Sequence, residues 1–281
     1  MRRIGIVGIE NSHTDHFIRH LNTENRYPGT RVVAVVRGEA DRTARLTESG
    51  SIDVADSSAD LAGLVDAAVV CTRDGALHLA HAAPLIMAGL PVLIDKPLAA
   101  GSADARALIE AAAAARVPLV SASAVRFVGD LADVKMAAAE NGPGQVVSVL
   151  GPADPDSEYS GLTFYGIHVV ETALELTGDG EFGPVSVHRG DAGIVATTVI
   201  NNVVTTMTFV TPDDEGRVPF HAMVLGRHGL AAGDLGLSAD YNVPLLEVFI
   251  RSIEEGRSPM SAEALLRPVQ LLEEIAAGLS L

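Results

Sequence analysis

The chain has 281 residues, 48% hydrophobic and 4% aromatic, with no Trp and one cysteine, Cys71. A formal charge of −16 without a basic stripe excludes a nucleic-acid binder, whose phosphate contacts need clustered Lys and Arg, and the scarcity of aromatics argues against a stacking platform for bases or sugars. One thiol excludes an intrachain disulfide, no apolar run approaches the ~20 residues of a bilayer span, and Glu10 interrupts the start before the apolar core of a signal peptide forms, so a soluble, cytoplasmic protein is expected.

Over residues 1–124 short apolar runs alternate with helical patterns. Strands are predicted at 2–8, 31–36, 67–72, 91–95 and 118–123. Each is apolar throughout rather than alternating, as in strands covered on both faces. Helices are predicted at 12–22, 40–49, 75–89 and 102–115, the last capped by Ser102 and rich in strong helix formers. The alternation implies a Rossmann-like, doubly wound parallel sheet. From about residue 125 the pattern changes. Strands at 145–151, 184–189, 193–200, 202–210 and 220–226 follow in near succession, with a helix at 166–178 among them and a hairpin turn at 200–202. Residues 125–281 are therefore expected to form an α+β domain with a mostly antiparallel open sheet, closed by helices at 243–255 and 261–278. No internal repeat or low-complexity linker is visible.

The first strand runs into GIVGIENSH (5–13). A strand, a glycine turn and a helix form an anion site from backbone N–H groups. In the G-x-G-x-x-G fingerprint, Gly8 takes the first position, Glu10 the second and His13 the third, with Asn11 and Ser12 between them. The second glycine normally lets the backbone approach a pyrophosphate, whereas Glu10 adds a side chain and a charge. Two unit charges ~4 Å apart at an effective dielectric of about 20 interact by roughly 4 kcal/mol, or about a thousandfold in affinity. Glu10 must therefore turn away or be paired, or the cofactor is weak or absent. Arg73 is the expected partner of Glu10 or of a phosphate, because the loops after the first and fourth strands are neighbours in a doubly wound sheet. Arg37 follows the second strand, with Arg42 nearby, where an acid would hold the ribose hydroxyls of NAD. An arginine there accommodates a 2′-phosphate, so NADP(H) is expected over NAD(H).

The stretch VVCTRDGALHLAHAAPLIMAGLPVLIDKPLA (69–99) resembles the Gfo/Idh/MocA family, the glucose–fructose oxidoreductase and inositol dehydrogenase group. There a Thr-Pro-Asn-x-x-His segment leads through a helix to a Glu-Lys-Pro motif. The counterparts here are Thr72, Arg73, Asp74 and His78, then Asp95, Lys96 and Pro97. VRFVGDL (125–131), GPGQVVSV (142–149), GIHVVETALELTG (166–178) and the two closing helices continue the resemblance in order. It implies hydride transfer between NAD(P) and a sugar-like, polyol or cyclic substrate. Gly8, Glu10, Asn11, Ser12, His13, Arg37, Thr72, Arg73, His78, Asp95, Lys96 and Pro97 would then lie around the cofactor. Lys96 would sit at the substrate hydroxyl and His168 would be the general acid/base. Hydride leaves a carbinol carbon only as the hydroxyl proton is removed, and a nearby cation stabilises the developing alkoxide. Where the family commonly carries an aspartate four residues before that histidine, this chain has Phe164; Glu171 stands three residues after it. Tyr165 is the alternative acid, and Arg126, Tyr159 and Tyr165 join Lys96 and His168 as candidate substrate contacts.

His13, His16 and His20 share one side of a helix, and His78 with His81 and His168 with Glu171 are spaced i, i+3. Such spacing suits a metal, but the apolar neighbours favour side chains satisfied within the fold, and no metal is expected. There is no G-x-S-x-G elbow for a hydrolase. The departures at Glu10, His13 and Phe164 leave two alternatives open: a non-redox lyase, isomerase or cyclase on the same scaffold, and a non-catalytic metabolite sensor. The expected partners are a small-molecule substrate and further copies of the chain, as a homodimer or homotetramer through the strands at 193–210.

Overall fold

The computed structural model describes residues 1–178, 180–213 and 216–279. The chain divides into two compact units, Met1–Ala122 with Asn242–Leu265, and Ser123–Tyr241 with Leu266–Leu281.

The first unit alternates strands and helices: β1 (Arg2–Val7), α1 (Ser12–Ile18), β2 (Thr30–Val36), α2 (Ala40–Thr47), β3 (Asp53–Ala55), α3 (Ser58–Ala62), β4 (Ala67–Val70), α4 (His78–Met87), β5 (Val92–Ile94), α5 (Ser102–Ala115) and β6 (Leu119–Val120). The strands pair in the order β3-β2-β1-β4-β5-β6, all parallel. Every residue of β4 is buried, which is why its sequence carries no polar alternation. The order reverses between β1 and β4, so the loops leaving β1, β4 and β5 lie side by side at the carboxyl edge, where doubly wound folds bind ligands. Two elements of this unit, β3 and α3, are too short for periodicity to reveal. The helix predicted at 12–22 is α1 followed by one π-helical turn, Arg19–Thr23.

Gly8 shapes the turn after β1. Its φ is +90°, and a Cβ added there would lie 2.2 Å from the backbone nitrogen of Thr72. The two loop backbones approach so closely that only hydrogen fits between them.

The second unit contains α6 (Gly129–Glu140), β7 (Gly144–Pro152), α7 (Thr163–Thr177), β8 (Ser186–Gly190), β9 (Gly193–Ile200), β10 (Val203–Val210), β11 (Phe220–Gly226) and β12 (Leu230–Leu235). Its sheet runs β12-β11-β7-β10-β9-β8. The β7–β10 pair is parallel and the other pairs are antiparallel, so the sheet is mixed. Asn201 and Asn202 turn β9 into β10 with φ of 51° and 64°, the left-handed pair that a two-residue hairpin demands. One face of the sheet, through Val149, Phe209 and Ala222, packs with Ile167, Val170 and Leu174 of α7 in a single core. Gly233 and Asp234 mask β12 in the sequence, since both residue types are depleted in strands.

The closing helices are α8 (Val243–Glu255) and α9 (Ala262–Gly278). The sequence assigns both to the second domain, but residues 242–265 belong with the first unit. There α8 buries Leu245, Leu246, Phe249 and Ile250, and the Leu119 N–H donates to Ser258 Oγ at 2.9 Å. An amphipathic stripe states that a helix is covered, not which sheet covers it. No described helix is long and apolar enough to cross a membrane. Gly8→Ala is expected to lower stability by about 2–4 kcal/mol, from a strained φ added to a backbone clash; the shift in a urea unfolding midpoint measures it.

Candidate active site

Asp95 follows β5 at the carboxyl edge of the first sheet and is only 3% exposed. A buried carboxylate needs hydrogen bonds or a counter-charge. His13 Nδ1 lies 2.7 Å from its Oδ2, and Asn11 Nδ2 donates to the same oxygen at 3.3 Å. Burial alone would raise the Asp95 carboxyl. The charge and hydrogen bond of His13, with Lys96 beside them, outweigh that and hold it well below the usual carboxylate range. Asn11 faces two ways. Its Oδ1 accepts the N–H of His13 as the N-cap of α1, while its amide reaches Asp95. The residue at the third glycine position is thus tied across the edge of the sheet to the motif after β5. Lys96 is the next residue, 6% exposed, and its bond to Pro97 is cis.

Glu10, at the second glycine position, is exposed. Its carboxylate accepts the backbone N–H of Arg73 at 3.2 Å, and the Arg73 guanidinium donates to the Glu10 carbonyl at 3.1 Å. The expected Glu10–Arg73 association is present, in this crossed form. Arg42 closes the other side of the turn, donating to the Ile9 carbonyl at 2.7 Å and, with both terminal nitrogens, to Asp15. Arg37 pairs with Asp56 at 3.0 Å, with side chains 58% and 78% exposed. Ser12 opens α1 and is exposed, whereas Thr72 and Pro97 are buried.

The expectation that His78 touches a cofactor is corrected by its burial, which is complete. Its Nδ1 sits 2.8 Å from the Pro97 carbonyl and its Nε2 3.1 Å from the Thr72 carbonyl. It ties the loop after β4 to the Lys-Pro loop. The three histidines near the start of the chain also go separate ways. His13 meets Asp95, His16 meets Asn242, and His20 meets Glu24. Burial, then the charge of the stacked His13 ring, pushes His16 down.

In the second unit His168 lies on the first turns of α7. Its Nδ1 is 2.6 Å from Ser123 Oγ, which also accepts the Val125 N–H. The Ser123 N–H donates to Glu171 at 2.9 Å. Ser123 is thus the partner of His168 that the sequence did not single out; its one signal was its place at the end of the run 118–123. The Arg126 guanidinium lies 2.7 Å from Glu175 and 3.5 Å from Glu171, with its side chain 13% exposed, so it braces α7. Burial alone would raise the Glu175 carboxyl, but Lys135 and Arg126, both bonded to it, hold it low. Tyr165 and Phe220 pack edge-on against the His168 ring at 5.5 and 5.3 Å, and Phe164 packs between Tyr159 and Tyr165 at 4.9 Å from each.

Asp95 generates a pH prediction. In the unfolded chain its carboxyl titrates near ~4, and in the native state lower. Its contribution to stability is therefore complete above about pH 4 and lost as pH falls toward the native value. Asp95→Asn is expected to flatten the fall in stability below pH 4 relative to the parent, measured by urea unfolding at stepped pH. Parallel curves for the two proteins contradict the assignment.

Residues 2–123 match a family model described as an oxidoreductase family with an NAD-binding Rossmann fold. YceM of Salmonella typhimurium, an oxidoreductase by name, is 32% identical over 180 residues, which cover 63% of this chain and 56% of that protein. Inositol 2-dehydrogenase 3 of Saccharopolyspora erythraea is 34% identical over 125 residues, 44% of this chain and 36% of its own length. The chain thus spans little more than half of the first of these relatives and about a third of the second. Among solved structures, GenD2 from gentamicin A biosynthesis, in complex with NAD, superposes with a TM-score of 0.86 at 18% identity, covering 99% of this chain and 94% of that one. Apo scyllo-inositol dehydrogenase from Lactobacillus casei superposes with a TM-score of 0.81 at 14% identity, covering 99% and 96%. At such identities the likeness is one of fold. In strand order, motif residues and matched segment alike, residues 2–123 form the Rossmann fold that the NAD-binding oxidoreductase family model describes.

Proposed function

We propose that this protein is an NAD(P)-dependent oxidoreductase that interconverts a carbinol and a carbonyl on a small substrate. The observation that carries the reading is Lys96, a buried side chain at the carboxyl end of β5 beside the switch point, next to a carboxylate locked by Asn11 and His13. A cation on so rigid a platform suits an oxygen that gains negative charge in the transition state.

The residues of this edge fit a dinucleotide. Gly8 gives the tight turn under a pyrophosphate. The Glu10 carboxylate is held by the Arg73 N–H, and the Arg73 guanidinium lies at the Glu10 carbonyl, so a cation stands in the same turn as the anion when a phosphate approaches. The Arg37–Asp56 pair is exposed on both sides, where such pairs contribute about 0–1 kcal/mol, so Arg37 exchanges Asp56 for a 2′-phosphate at small cost. This supports NADP over NAD. When bound, the cofactor supplies or accepts the hydride. In this reading Lys96 holds the substrate oxygen, and His168 is the candidate general acid/base of the second unit. Ser123 fixes the orientation of the His168 ring through Nδ1. Asp95 and His13 act as positioning residues for Lys96.

One observation favours a second reading, non-redox chemistry on the same scaffold. Asn11 already takes the His13 N–H, a donor at the start of α1 of the kind a pyrophosphate uses. Titration with NADPH and NADH, followed by nicotinamide fluorescence, separates the two. The expected result is tighter binding of NADPH, with that preference lost or reversed in Arg37→Asp, a change of roughly tenfold or more for one charged hydrogen-bonded contact. Absence of binding of either nucleotide at millimolar concentration overturns the redox reading.

A further inference from the structure

We infer that the substrate presents a planar, largely apolar ring system to the second unit, rather than a ring dressed with hydroxyls. This rests on the oxidoreductase reading only for the reaction that follows binding. A cavity of about 840 Å³ lies within that unit, beside the start of α7 and the ends of β7 and β12. Its volume falls in the range of roughly 300–1,000 Å³ typical of sites for drug-sized molecules. Phe164, Tyr165, Val218, Phe220, Leu235 and Leu237 give it an apolar wall.

Aromatic residues are few in this chain: 7 Phe and 4 Tyr. Yet Phe164, Tyr165 and Phe220 meet at this cavity, and Tyr159 extends the same cluster through Phe164. Tyr165 and Phe220 flank His168 edge-on. Tilted and edge-to-face rings offer both π faces and positive edges, the surfaces against which another flat ring packs best. A polyhydroxylated ring requires the opposite. Each hydroxyl taken from water needs a partner, and each one left without weakens binding. Among the described residues, the polar side chains of the lining are few: Asp234 meets His221 at 2.7 Å, Asp154 accepts the Asp156 N–H at 2.9 Å, Ser157 accepts the Tyr159 N–H at 3.3 Å, and Arg217 is the one cation. The wall next to His168 is made of the rings of Tyr165 and Phe220, so a flat substrate seated there keeps its apolar faces covered.

Binding of 1-tetralone, a planar bicyclic ketone, and of myo-inositol to the full-length protein without nucleotide tests this, read by calorimetry and saturation-transfer NMR. The ketone is expected to bind at least about tenfold more tightly than the polyol. Tyr165→Ala, at a position 41% exposed where folding tolerates truncation, is expected to weaken the ketone about fivefold while leaving the urea midpoint in place. Phe164→Asp is expected to narrow the gap between the two ligands. An affinity for 1-tetralone no greater than for myo-inositol, or one unchanged in both variants, overturns the inference. The nucleotide titration is independent: ketone binding without NADPH binding refutes the redox reading and leaves the ring preference standing, and NADPH binding with polyol preference does the reverse.

Discussion

A carboxylate with almost no access to water must find a counter-charge and donors, and the carboxyl edge of the first sheet is arranged around that demand at Asp95. An unpaired buried charge costs several kcal/mol. Here His13 and Asn11 meet the demand from 82 and 84 residues away in the chain. A glycine at position 13 has no side chain to reach Asp95, so the departure from the dinucleotide fingerprint and the buried acid of the Asp-Lys-Pro motif are two halves of one interaction. The same edge is stitched twice more. Gly8 lets the first loop touch Thr72, and His78 holds Thr72 to Pro97. Lys96 thereby gains a platform in which the loops after β1, β4 and β5 are tied to one another.

The second unit solves the same problem with different residues. His168, Glu171 and Glu175 lie along α7 about one turn apart. Ser123 bonds the first two, and Arg126 with Lys135 answers the acids. One nitrogen of the imidazole is oriented by Ser123 while Tyr165 and Phe220 pack edge-on against its ring. Phe164 extends that wall. What reads in the sequence as the loss of an acid is, in three dimensions, a gain of aromatic surface.

Much of the architecture was legible. Strands such as β4 are buried on both faces and therefore apolar without alternation, and the Asn-Asn hairpin follows from two residues that tolerate positive φ. The Glu10–Arg73 association was legible because adjacent loops are a consequence of strand order. Other features were not. β3 and α3 span three and five residues, too few for a pattern of period 2 or 3.6 to repeat. The allegiance of α8 depends on which apolar surface it meets, and Arg126 and His78 look alike in sequence whether they serve a ligand or the fold.

By itself the sequence determined the alternation of elements, the glycine turn, the family motifs and the kinds of residue available for chemistry. All of these rest on local spacing and backbone preference, which act over a few residues. Only the tertiary structure decided which polar side chains are occupied: His13 by Asp95, His168 by Ser123 across 45 residues, and Arg126 by two acids of α7. The physical reason is that a buried polar group must be satisfied by whatever the fold brings within hydrogen-bond reach, and that neighbour is set by packing, not by distance along the chain.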